Sequence, residues 1–444
     1  MIVSESNQRK VSGLKPCLIE MKPYVKAPVN IILAGAGARG LRYSFYAQKY
    51  PKLAKIVAVA EPREFYRESV ARQHSISHDK VFSCWTDIVK AKIKADAVII
   101  TTQDSMHVEP AIAFADQGYH ILLEKPMAPT EHGCRQIVEA AIRNKIIFGV
   151  CHVLRYTSYT KKIKQIIDSG IIGEVVSIQH LEPVGYWHQA HSFVRGNWNN
   201  EYESSPMLLA KSCHDLDWIR YIMGCRCEKI SSFGSLYHFK KQNRPKDAAD
   251  RCLDCVVESK CPYSAKKVYL EPIIRGETGW RAEPAEIITA DRTVSGVTKA
   301  LREGPYGKCV YDCDNNVVDN QIVNMQFEGG KTASFTMTAF TEFTTRKTRI
   351  FGTKGELYGC NEVIEHYDFM TEKKITIEPE QLADTDVLSA HGGGDYYLIK
   401  EFVAAVATNN PSRILSGPLE SLETHLMVFA AEKARKTDTV IQIA

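Results

Sequence analysis

From Val29 onward, short apolar runs alternate with longer stretches of helical period. The runs at residues 29–34, 55–60, 97–101, 120–123 and 146–151 predict strands, and 41–50, 64–73, 108–117 and 131–143 predict helices. Such alternation predicts a parallel sheet with helices on both faces. Ligands of these sheets bind beyond the carboxyl ends of the strands, so the turns after Ala34, Ala60, Thr101, Leu123 and Cys151 are the places to look for chemistry.

Past Cys151 the period changes. A helix at 160–168, with Ile163, Ile166 and Ile167 on one face, leads to a strand at 174–181. Further on, Ala333, Phe335, Met337 and Ala339 alternate strictly with Thr332, Ser334, Thr336 and Thr338. That is the period of a strand with one buried face, and Gly329-Gly330 joins it to the run 321–327 as a hairpin. Runs at 346–351 and 356–358 extend an antiparallel-type sheet, and helices at 207–223, 395–406 and 419–435 are expected to pack on it or on the first domain. The chain therefore divides into an arm (1–28), a nucleotide-type domain (29–152), a second α/β domain (153–436) and a tail (437–444).

A length of 444 residues agrees with two domains, and 44% hydrophobic with 24% charged residues is a globular composition. A formal charge of +4 is near balance and implies neither nucleic acid nor membrane as a partner. No window approaches the ~18 apolar residues of a membrane span, and the first 28 residues lack a secretory apolar core, so a cytoplasmic location is expected. The thirteen cysteines are odd in number and several fall inside predicted elements, which favours reduced thiols over a disulfide framework.

The first turn carries Gly35-Ala36-Gly37-Ala38-Arg39-Gly40, the G-x-G-x-x-G spacing between a strand and a helix. Gly35 permits the tight turn, Gly37 lets the backbone approach a pyrophosphate, and Gly40 lets helix and strand pack closely. Glu61 follows the second strand about twenty residues on, where a carboxylate accepts from the adenine-ribose hydroxyls. It favours NAD over NADP, because a 2′-phosphate would be repelled; Arg63 nearby weakens that preference. After the run 120–123 comes Glu124-Lys125-Pro126, which sets the Lys125 ammonium over the nicotinamide end of a dinucleotide, able to bind a substrate hydroxyl or share its proton.

The glycine fingerprint, Glu61-Pro62, Thr101-Thr102-Gln103-Asp104 with His107, Glu124-Lys125-Pro126, and His214-Asp215-Leu216-Asp217 occur in an order and spacing that resemble the glucose-fructose oxidoreductase and inositol dehydrogenase (Gfo/Idh/MocA) family. The resemblance covers residues 29 to 436. It implies an α/β fold with an N-terminal Rossmann domain and a C-terminal α/β domain holding a large, mostly antiparallel open sheet. It further implies a bound NAD or NADP, hydride transfer at a secondary alcohol of a sugar or cyclitol, and a homodimer or homotetramer. Cofactor contacts are then expected from Gly35, Gly37, Ala38, Arg39, Gly40, Glu61, Thr102, Gln103, His107, Glu124 and Lys125. His214 matches the acid–base histidine, and His152, Arg155, Tyr156 and His391 fall where the family places substrate contacts. The chain departs from the family at Ala210, where an aspartate is usual. Lys211 stands beside it, as a substrate donor or as a like charge that depresses the pKa of Lys125.

Two further stretches carry chemistry. Tyr186-Trp187-His188-Gln189-Ala190-His191, with Arg195 to Trp198 after it, offers aromatic planes and hydrogen-bonding groups suited to a sugar, and His188 and His191 as further acid–base groups. Packing at the domain junction explains the aromatics equally well. Residues 240–316 read as an insertion containing Cys252, Cys255 and Cys261, then Cys309 and Cys313. A structural zinc on Cys252, Cys255, Cys261 and Cys313, with Cys309 as the alternative fourth ligand, is one reading; an iron–sulfur cluster, disulfides or free thiols are the others.

Three functions fit. The first is an NAD-dependent dehydrogenase of a sugar-like alcohol. The second is a glycoside hydrolase that oxidises, eliminates, hydrates and reduces with NAD recycled, to which His188, His191 and Lys211 are suited. The third is a catalytically silent dinucleotide sensor, for which Ala210 is the argument.

Overall fold

The computed structural model describes residues 27–279, 282–360, 362–380 and 391–443. The expected arm therefore lies, apart from residues 27 and 28, outside the described residues. Strands β1 (Val29–Ala34), β2 (Ala54–Ala60), β3 (Val81–Phe82), β4 (Ala97–Ile100), β5 (His120–Leu123) and β6 (Phe148–Val150) form one parallel sheet in the order β3-β2-β1-β4-β5-β6. The chain reverses between β1 and β4, which opens a crevice at their carboxyl ends. Each central strand is buried on both sides, so Ile31 and Leu33 feed one apolar layer and Ile32 and Ala34 the other.

Nine strands make the second sheet: β7 (Val175–Pro183), β8 (Cys227–Ser235), β9 (Asn320–Phe327), β10 (Thr332–Thr338), β11 (Lys347–Gly352), β12 (Gly355–Gly359), β13 (Ile364–Asp368), β14 (Lys373–Ile377) and β15 (Ile441–Gln442). All pairs are antiparallel except β7 with β10. The expected tail thus contributes an edge strand, with Ile441 opposite Ile230 on β8. One face of the sheet carries Ile178, Ile230, Val323, Phe335 and Ile350 against Leu216, Ile219 and Ile222 of the helix Cys213–Met223. The other is open: Phe233 and Ile322, directly opposed on β8 and β9, are 61% and 46% exposed.

The helix Gly394–Thr408 returns to the first domain, where Leu398 and Phe402 enter the layer beneath its sheet. The insertion is a string of short helical turns with one longer helix, Val294–Glu303; one small core is its own and a second is shared with Ala190, Val194 and Ala339. It reaches both domains, through Arg42 to Glu283 at 3.2 Å and through Tyr269 and Tyr306 against His191. No helix among the described residues is long and apolar enough to cross a membrane.

Candidate functional site

The glycine turn is shaped by close approach. A Cβ on Gly35, whose φ is +98°, would meet the Thr101 carbonyl oxygen at 2.6 Å, and one on Gly40 would meet the Gly35 carbonyl oxygen at 2.1 Å. Gly37 is open, with only Arg63 Nη2 3.5 Å from its Cβ direction, so the room for a pyrophosphate is above Gly37. Glu61 closes the adenine side. Its carboxylate accepts from Ala36 N at 2.8 Å and from Arg63 N, Nε and Nη2 at 3.0, 2.7 and 3.1 Å. Burial pushes the Glu61 carboxyl up, but Arg63 and these N–H donors outweigh it and hold the group below its ordinary value. These residues fit a dinucleotide.

Other expected cofactor residues act at one remove. His107 braces the loops, its ring nitrogens 2.8 Å from Pro126 O and 3.1 Å from Thr102 O, while Gln103 is exposed. Asp104 accepts from Trp198 Nε1 at 3.2 Å and Ser205 Oγ at 3.0 Å, which ties the 196–205 loop to the first domain. Arg39 turns from the phosphate position toward carboxylates, donating to Glu124 at 2.6 Å and Asp395 at 2.5 Å and also contacting Tyr43. Glu124 in turn accepts the Lys125 N–H at 2.8 Å.

The Lys125–Pro126 bond is cis, and Lys125 Nζ reaches across to the other domain to donate to Ala210 O at 2.5 Å. That acceptor is free because the expected helix 207–223 breaks in two, Met207–Ala210 and Cys213–Met223. The first turn of the second piece carries His214, 5% exposed, whose Nδ1 is buried without a hydrogen-bond partner. Burial first, then the Lys125 charge and the neighbouring His152 and His391, hold this imidazole well below its usual pKa, so it is neutral. His152 and His391 flank it at ring distances of 5.9 and 6.1 Å. His391 Nδ1 is 3.0 Å from Asp395, and burial lowers its pKa too although a third of its side chain is exposed. Neither ring nitrogen of His152 makes a hydrogen bond, Nε2 lying 3.7 Å from Asp217, and burial pulls it down to about 3.

Lys211 points at β7 instead of the substrate position. Its Nζ lies 3.1 Å from Glu182, which with Asp215 is bridged by Arg346 Nε at 3.0 and 2.5 Å; Asp215 in turn holds His180 at 3.1 Å. Burial, Arg346 and Lys125 lower the Lys211 pKa against the pull of Glu182. Glu182 and Arg346 were missed in the sequence, although Glu182 falls on the buried parity of β7 with Ile178 and His180, an odd place for a carboxylate.

The family's NAD-binding Rossmann domain matches residues 29–152, and its C-terminal α/β domain matches residues 164–443. The chain belongs to the Gfo/Idh/MocA oxidoreductase family. It is 23% identical over 327 residues to the oxidoreductase YteT of Bacillus subtilis (strain 168), covering 69% of this chain and 72% of that one. It is 26% identical over 181 residues to the 2,7-anhydro-N-acetylneuraminate hydratase of Mediterraneibacter gnavus, 41% of this chain and 46% of the relative, so less than half of that protein is spanned. A solved oxidoreductase from Agrobacterium radiobacter, in complex with NAD+, L-tartaric acid and magnesium, superposes with a TM-score of 0.68 at 13% identity, over 94% of this chain and 98% of that one.

In this Gfo/Idh/MocA protein several expected substrate residues have other partners. Arg155 is committed to Asp217 by two bonds of 2.7 Å and to Leu415 O at 2.5 Å; the Tyr156 hydroxyl accepts from Leu415 N at 2.8 Å. Both tie the 415–416 turn. His191 Nδ1 is 2.9 Å from the Tyr269 hydroxyl, and Arg195 donates to Lys308 O and Tyr263 O at 2.8 and 2.9 Å. Tyr186 and Trp187 line a cleft against Pro262, Val268 and Pro272 of the insertion, and His188 beside them keeps a buried Nδ1 without a partner. Burial, Lys211, His191 and Lys125 hold His188 well below its usual pKa.

The cysteines expected as zinc ligands are not brought together as a ligand set among the described residues. Among the described residues no three His, Cys, Asp or Glu side chains are placed to hold a metal ion, and Arg195 Nη2 donates to Cys252 Sγ at 3.4 Å. A buried guanidinium in that position repels a divalent cation. All twelve described cysteines are free thiols.

Proposed function

We propose that this protein transfers hydride between the nicotinamide of NAD and a secondary alcohol of a sugar, cyclitol or glycoside. The observation that carries the reading is Lys125, just past the carboxyl end of β5, held at 2.5 Å on the carbonyl of Ala210, four residues before His214, whose neutral ring keeps a buried Nδ1 without a hydrogen-bond partner and feels the Lys125 charge. When bound, NAD supplies the hydride acceptor. Lys125 donates to the substrate oxygen and orients it; His214 takes the hydroxyl proton, which a neutral imidazole can do and an imidazolium cannot. His391, backed by Asp395 and partly open to solvent, gives that proton a way out. Glu61 supports NAD over NADP, while Arg63 across it tolerates some negative charge. The test is direct: denature the purified protein, identify the released nucleotide by mass spectrometry, and assay NADH formation with a panel of polyols and glycosides. Failure of every member to change the redox state of the nicotinamide sinks the reading.

His188 favours a second reading, in which oxidation is transient and a glycosidic bond is cleaved with the cofactor recycled. It is a second neutral imidazole beside Lys211 and Lys125, beyond what simple hydride transfer needs. A relative named as a 2,7-anhydro-N-acetylneuraminate hydratase supports a reading in which water is added. Glycoside cleavage without accumulation of NADH would select this reading.

A further inference from the structure

We propose that the cysteine-containing insertion is an arginine-centred clamp whose work is to aim His188 into the site, with Arg195 as its positioning residue. The clamp rests on the reading of His188 as an active-site group. His188 ends a short helix, Tyr186–His188, and the chain then winds as a π-helix from Gln189 to Arg195. Residues three apart share a face in an α-helix, but the wider i→i+5 winding turns them away from each other. The His188 ring packs against Trp187, Phe193 and Phe343 at 5.7, 6.1 and 5.4 Å, near enough to Lys211 and Lys125 to feel their charges, and His191 faces the insertion.

On the far side of this stretch His191 and Arg195 are tied to the insertion, although Arg195 Nη1 is buried without a hydrogen-bond partner. His191 bonds Tyr269 and stacks on Tyr306 at 5.2 Å. Arg195, 3% exposed, joins three separate segments of the insertion through Lys308 O, Tyr263 O and Cys252 Sγ. Cys261, Cys309 and Cys313 also feel its charge, yet burial dominates and raises all three thiols, so they stay protonated around it. The Arg251–Lys308 bridge brings Cys252 and Cys309 to the same place. A planar fork with five donors can join three acceptors in fixed directions, as a metal would; lysine cannot hold all three. On the His188 side Nδ1 is buried without a hydrogen-bond partner, a place for a substrate group to dock.

The experiment uses the full chain with NAD+ added and histidine labelled at Cε1, the His188 and His214 resonances being assigned by their loss in His188→Gln and His214→Gln. In the wild type both rings are expected to stay neutral from pH 8 to below pH ~6. In Arg195→Met the His188 resonance is expected to shift and titrate nearer its ordinary value, with His214 unmoved; Arg195→Lys restores part of the shift. Tyr269→Phe removes one hydroxyl and is expected to move His188 in the same direction by less, which keeps the test alive where Arg195→Met does not fold. A folded Arg195→Met or Tyr269→Phe protein with an unchanged His188 resonance overturns the proposal. So does elemental analysis finding one tightly bound metal per chain that Cys252→Ser removes. These readings need no turnover: absence of NAD+ binding in the wild type would defeat the redox function and leave the clamp standing.

Discussion

In the proposed reaction Lys125 and His214 share the work on one hydroxyl, so losing either would leave hydride transfer without its proton partner. Lys125→Ala is expected to lower kcat by ~10²–10⁴-fold with NAD+ affinity little changed, read by steady-state kinetics and cofactor titration. Arg63 pairs with Glu61 across the adenine side, 55% exposed and able to meet a 2′-phosphate. Arg63→Ala should therefore cost NADP more than NAD, by on the order of tenfold in relative Kd. Both residues were legible because the glycine fingerprint and Glu-Lys-Pro fix them by spacing alone. Glu182, Arg346 and Asp395 were not, since each acts through a partner more than a hundred positions away or on another element, and nothing local marks that. Arg155 and Tyr156 lie in the expected place, yet fold contacts consume their polar groups.

Helices and strands with strong period were readable almost to the residue, as at Glu64–Gln73, His120–Leu123 and Glu131–Arg143. The exceptions have causes. The expected helix 207–223 breaks where the main chain turns its Ala210 carbonyl to Lys125, and the His188–Arg195 stretch takes a winding that side-chain periodicity does not announce. The insertion escaped because short turns with two small cores carry too few periodic positions. At the first turn, a methyl on Gly40 would press on the Gly35 carbonyl. Gly40→Ala is expected to destabilise the domain by ~1–3 kcal/mol and weaken NAD+ binding, measured by denaturant unfolding and fluorescence titration.

Several histidines are buried, His152 beside His425 and His191 apart from them against Tyr269 and Tyr306, and each weakens the fold as the pH falls. Burial lowers His152 to about 3 and His191 and His425 to about 4, from an ordinary value of 6.5. The unfolded chain binds these protons first, so their contribution is complete above pH 6.5 and is lost as the pH falls through about 4 and then 3. Denaturant midpoints should fall steadily below that upper bound, and His425→Gln should make the fall shallower. The open sheet face makes a second expectation: Phe233→Glu is expected to reduce the mass of the native particle in light scattering, if copies meet there. A last consequence follows from the helix Gly394–Thr408. It is encoded far downstream, yet Leu398 and Phe402 fill the layer beneath the first sheet, and Asp395 anchors Arg39 on its opening helix. Recombination between relatives at residue 152 would pair a nucleotide half with a foreign plug, so a viable chimaera must inherit both segments from one parent.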